Sequence, residues 1–210
     1  MIKNNKLQAI IKMGIGCVLL FSVIWGYFPI PRHMNEYTFL SNTIESLVLI
    51  YSGILLIYKQ KHIPTYIDLC LVILAFIMMG IVVTNYKVFG FDGAYLFLHV
   101  INPILLLLHW VFVTEKGKIK SPKYVLSVLI LPAMYITFLF IFGYITGNYI
   151  YPVLDINALG VLNVAVFVII VAVLSLGLAY ALYRACKGIS FMQQINDTYK
   201  NSELNNSNLY

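Results

Sequence analysis

Phe97-Leu98-His99-Val100-Ile101-Asn102-Pro103-Ile104-Leu105-Leu106-Leu107-Leu108-His109-Trp110 lies inside an apolar run, 91–113, with no charged residue between Asp92 and Glu115. About 20 apolar residues are enough for a helix to cross a bilayer, so the run has the length of a membrane span. It nevertheless carries His99, Asn102, Pro103 and His109. With Asp92 and Tyr95 these mark a stripe at positions 92, 95, 99, 102, 106 and 109, the alternating three- and four-residue spacing of one helix face. Polar side chains are costly against lipid, so they face other helices or a water-filled cavity. The stripe is predicted to point inward and to carry any active site.

Working outward, the 210 residues are 61% hydrophobic and only 10% charged, with mean hydropathy +0.87. No soluble core hides that much apolar surface, so the chain reads as an all-α, polytopic membrane protein. Six apolar runs, roughly 8–30, 38–58, 66–86, 91–113, 123–146 and 160–183, predict a six-helix transmembrane bundle over 1–188. The polar stretch 189–210 reads as a disordered cytoplasmic tail. The net charge of +6 does not signal nucleic acid, because the basic residues sit in short clusters between spans. Lys3, Lys6, Lys12, Lys59, Lys61, Lys116, Lys118, Lys120, Lys123, Arg184, Lys187 and Lys200 fall on one side, and only Arg32 and Lys87 on the other. That division predicts both termini in the cytoplasm. Cys17, Cys70 and Cys186 have neither redox nor zinc spacing and read as small packing residues. No metal or cofactor is expected.

The outer halves of the spans hold most of the buried polarity. Thr38, Asn42 and Glu45 share one face of the second span, and His99 and Asn102 lie on the fourth. The last outer loop and the sixth span add Asp155, Asn157 and Asn163. The inner half offers only Asp68 and His109, both read as interfacial residues able to reach the membrane surface. This asymmetry predicts an outward polar chamber above a seal. Plainer readings stand beside it: His99 as a core histidine, the asparagines as interhelical hydrogen-bond bridges, and Thr38 as a helix cap. Glu45 is the hardest to dismiss, since a carboxylate this deep needs a proton or a partner. The outer loop 147–160 is apolar and aromatic enough to fold back over the mouth.

Tyr37-Thr38-Phe39-Leu40 opening the second span, His99 followed by Pro103 in the fourth, and the loop Tyr151-Pro152-Val153-Leu154-Asp155-Ile156-Asn157-Ala158-Leu159-Gly160 resemble motifs of one family and its bacterial relatives. It is the androgen-induced and androgen-dependent integral-membrane hydrolases. The resemblance implies a bacterial plasma-membrane protein that hydrolyses fatty-acid esters of hydroxy fatty acids. Thr38 would be the nucleophile and His99 its base. A histidine base suits a threonine hydroxyl near neutral pH. Asn42 or Asn102 would serve as oxyanion donors, with Asn163 also near the substrate, and Asp155 or Glu45 would orient the imidazole. By residue count His99 lies about 7–12 Å below the outer rim at 1.5 Å per residue, with Thr38 near the rim. The competing functions are a small-solute or proton transporter and a non-catalytic lipid-binding scaffold.

Overall fold

A computed structural model describes residues 2, 4–84, 93–114 and 121–207. Asp92, Glu115, Lys87 and the loop lysines Lys116, Lys118 and Lys120 lie outside the described residues. Six long helices carry the fold: α1 Asn5–Tyr27, α2 Tyr37–Lys59, α3 Thr65–Thr84, α4 Gly93–Phe112, α5 Pro122–Thr146 and α6 Val161–Ser207. No strand occurs among the described residues. The protein is an all-α bundle. Five of the helices are long and apolar enough to cross a membrane, whereas the described apolar portion of α3, Thr65–Gly80, is shorter. Five spans of this kind among the described residues make it a multi-pass integral membrane protein; the third of the six expected runs, 66–86, extends beyond the described residues. Leu162, Ile169, Ile170, Val173 and Leu174 of α6 lie outward and exposed, as lipid-facing residues do.

The chain ends its helices by ordinary local chemistry. Asn4 caps α1, its Oδ1 accepting from the backbone N–H groups of Lys6 and Leu7 at 2.9 and 3.2 Å. α2 stops at Gln60, which takes a left-handed φ of 51°, and α5 stops at Gly147 with φ 72°. Two prolines reshape spans from within. A proline offers no N–H and its ring crowds the carbonyl four residues back. Ahead of Pro132, α5 accordingly opens as a 3-10 helix over Pro122–Leu129 before becoming α-helical. Ahead of Pro103, α4 widens into a π-turn over Phe97–Ile101, with the Asn102 N–H bonded to the Phe97 carbonyl. α6 runs 47 residues, about 70 Å at 1.5 Å per residue. Its backbone therefore stays helical over 189–207, where the sequence reading expected disorder. Only Val161–Cys186 is apolar enough to span.

α3 is the axis of the bundle. Leu69, Leu71, Val72, Ile73, Leu74, Ala75 and Met78 are each no more than 2% exposed, as expected of a helix that is apolar on every face. α1 and α2 pack closely because glycines remove the intervening atoms. A Cβ on Gly16 would meet Ser46 O at 2.9 Å, and one on Gly53 would meet Ala9 O at 2.8 Å. Short-range links then gather chain segments at two opposite ends. At one end the Ile2 N–H bonds Phe112 O at 3.1 Å, Asn5 bonds Gln60 at 3.2 Å, and Tyr66 stacks on Tyr124 at 5.0 Å. At the other end the loop 147–160 is tied down. The Tyr37 N–H bonds the Tyr151 hydroxyl at 2.9 Å, and Leu154 is buried. The fold-back expected of this loop is present.

Candidate active site

The first turn of α2 and the π-turn of α4 meet at Thr38 and His99. Thr38 Oγ1 lies 3.1 Å from His99 Nε2, and both residues are buried. His99 Nδ1 lies 3.0 Å from the carbonyl oxygen of Tyr95, and the Tyr95 and His99 rings stack at 4.3 Å. A carbonyl only accepts, so the Tyr95 contact places the neutral imidazole's proton on Nδ1. Nε2 is then the acceptor, and the Thr38 hydroxyl donates to it. The depth gap read from residue counts is absent in the structure: the first turn of α2 lies beside the π-turn of α4, so the two side chains stand at one level.

Behind this pair runs a chain of buried amides. Asn42 Nδ2 donates to Thr38 O at 2.8 Å and faces Met78 Sδ at 3.0 Å. Asn102 Nδ2 donates to Asn42 Oδ1 at 2.7 Å and to Ser22 Oγ at 2.8 Å. These bonds join α1, α2, α3 and α4 across the bundle. Of the five described positions of the α4 stripe, 99, 102, 106 and 109 are buried and Tyr95 is half-buried. Ser41, one residue before Asn42, turns its hydroxyl toward Thr38 O at 3.4 Å and not toward the histidine.

Several expected site residues stand elsewhere. Asp155 is a helix cap: its Oδ1 accepts from the Asn157 and Ala158 N–H groups at 2.9 and 3.1 Å. Having started the one-turn helix Ile156–Leu159, it does not orient the imidazole, which takes the Tyr95 carbonyl instead. Asn163 is exposed and bonds Leu159 O, four residues back. Glu45 is fully buried as expected, yet neither carboxyl oxygen has a hydrogen-bond partner among the described residues. The bond expected to an Asn or His of another span is absent there.

Below the amide chain, Leu19, Leu49, Leu71, Ala75 and Leu106 form an apolar layer. Beneath it lies a second polar layer that the sequence reading missed. Lys12 Nζ bonds Ser52 Oγ at 2.9 Å and lies 3.8 Å from Asp68 Oδ2. Lys12, Asp68 and His109 are all buried. Counting Lys12 among flanking charges hid its position eight residues into α1, and neither Asp68 nor His109 reaches the surface. A signal was available: Lys12, Asp68 and His109 each lie inside one of the apolar runs 8–30, 66–86 and 91–113, toward its inner end.

On the far side of α2, α3, α5 and α6 enclose an apolar groove of about 380 Å³, within the range of small-ligand pockets. Phe76, Ile77, Leu139 and Phe167 line it, Tyr37 and Tyr151 close its outer end, and exposed Ile170 and Leu174 border its lipid-facing side. Thr38, next in sequence to Tyr37, is not part of its lining. Among the described residues no group of three or more His, Cys, Asp or Glu side chains gathers as a metal site would require. No family model, curated protein or solved structure matches this chain.

Proposed function

We propose that the protein is a membrane-embedded hydrolase of fatty-acyl esters, with Thr38 as nucleophile and His99 as general base. It would sit in the bacterial plasma membrane with six spans and both termini cytoplasmic. The observation that carries this reading is the 3.1 Å contact between Thr38 Oγ1 and an unprotonated His99 Nε2, which is within proton-transfer reach. In the reaction Oγ1 attacks the ester carbonyl while Nε2 takes its proton. The tetrahedral intermediate then expels the alcohol, which leaves with that proton. Water, deprotonated by Nε2, hydrolyses the acyl-threonine and releases the acid. Met78 sulfur is a weak acceptor, so the Asn42 N–H that faces it is the donor most cheaply redirected to the oxyanion. Asn102 has both its bonds to oxygen and acts on the site through Asn42. The apolar groove beside Tyr37 supplies space for an acyl chain entering from lipid.

Thr38→Ala and His99→Ala should each abolish turnover of a lipid ester, and the double variant should be no slower than either alone. Independent, multiplying losses would refute a nucleophile–base pair. A second reading, a proton or small-solute transporter, draws on the Glu45 carboxyl, buried without a hydrogen-bond partner among the described residues. Uptake into vesicles that persists in Thr38→Ala and fails in Glu45→Gln would favour it.

A further inference from the structure

The polar layer beneath the apolar one is outside the proposed chemistry and has more hydrogen-bonding capacity than it uses. Gln8 Oε1 and both ring nitrogens of His109 are buried without a hydrogen-bond partner among the described residues, and the Thr114 hydroxyl, beside the Asp68 carboxylate, closes no hydrogen bond of good geometry with it. Buried polar atoms are seldom left this way, and a layer of them points to an occupant. The donors and acceptors identify its chemistry. Asp68 and Gln8 offer acceptors, Thr114 offers both functions, and a neutral imidazole offers one of each. The charges already balance, because Lys12 faces the Asp68 carboxylate. The layer thus asks for a small neutral molecule that both donates and accepts, which is water.

We propose that Gln8, Lys12, Ser52, Asp68, His109 and Thr114 form a hydrated proton-binding site at the basic end of the bundle, separate from the Thr38–His99 chamber. Bound water bridges Asp68 Oδ1 to His109, and a proton taken from solution moves between them, making and breaking only O–H and N–H bonds. α1 gives Lys12 and Gln8, α2 the neutral Ser52, α3 Asp68, α4 His109, and the turn that follows α4 gives Thr114. Ile2 is tied beside the site, with Gln8 Nε2 donating to Ile2 O at 2.6 Å and the Ile2 N–H donating to Phe112 O. The apolar layer of Leu19, Leu49, Leu71 and Leu106 separates it from the outer chamber. The site therefore responds to proton activity on its own side of that layer.

Infrared spectra of the full chain in nanodiscs, taken from about pH 9 down to about pH 4, test this. A buried carboxylic-acid C=O band should grow in, and Asp68→Asn should remove it. Labelling aspartate carboxyl carbons with carbon-13 should move the same band with no substitution at all, which separates it from Glu45. Nitrogen-15 spectra of histidine should give a His109 ring N–H in exchange with water, assigned by its loss in His109→Gln. A titrating band insensitive to the aspartate label, or a His109 ring with no water exchange, would overturn the proposal.

Discussion

Replacing Asn42 and Asn102 by leucine, singly and together, tests the amide chain that holds the candidate site. Asn102→Leu removes two bonds, at 2.7 and 2.8 Å, and strands Asn42 Oδ1 in a fully buried position. Ser22 keeps a bond of its own to Leu19 O at 2.7 Å, so one group is orphaned, not two. Interhelical hydrogen bonds in membrane bundles contribute about 0.6 kcal/mol on average and reach about 1.7. Orphaning a buried acceptor costs roughly 1–3 kcal/mol. The single variant should lose about 2–3 kcal/mol, and Asn42→Leu, which strands an Asn102 N–H and one bond to Thr38 O, about the same. The double variant leaves no orphan between the two positions. It should be more stable than the sum of the singles by about 1–2 kcal/mol. Equilibrium unfolding in mixed micelles measures all four corners of the cycle. Losses that add to within about 0.5 kcal/mol would refute a direct coupling between α2 and α4 at this level.

Other consequences follow from packing and charge. Lys12→Met leaves Asp68 without its cation and should cost about 3–5 kcal/mol, whereas Lys12→Met with Asp68→Leu should regain most of it; melting in detergent compares them. Gly53→Leu drives a side chain into Met13 and Ala9 O and should separate α1 from α2. A disulfide designed across these helices would then form in wild type and not in the variant. Burial pushes the Tyr151 hydroxyl from 10.0 up to about 12, against the opposing pull of its bond from the Tyr37 N–H. A phenol raised in this way stabilises the fold fully below its unfolded value and loses that contribution as pH rises through the folded one. The stability difference between wild type and Tyr151→Phe should therefore be constant below about pH 10 and change between about pH 10 and 12, as alkaline melts would record.

The α4 stripe was legible because its spacing matches a helix and its polar members cannot face lipid. The same logic found the buried face of α2 from Thr38, Asn42 and Glu45. Three-dimensional proximity was less visible. Residue counting set Thr38 and His99 at different depths, since spacing along a single span does not reveal how two helices are offset along their axes. Asp155 read as a catalytic carboxylate because a helix of one turn leaves no periodicity to expose a cap. Lys12 was misread for a further reason. Near a helix end, flanking lysines and buried lysines share the same sequence signature, and only its neighbours Asp68 and Ser52 distinguish them. The π-turn was likewise hidden, although Pro103 marks where an α-helical ladder has to fail.

The central claim is that Thr38 is a nucleophile activated by His99, and covalent trapping tests it most directly. The full chain in detergent is treated with a fluorophosphonate, and the adduct is located by peptide mass spectrometry. The account predicts phosphonylation of Thr38 in wild type and in Ser41→Ala, and none in Thr38→Ala or His99→Ala. Labelling that settles on Ser41, or that persists on Thr38 at an undiminished rate without His99, would contradict it.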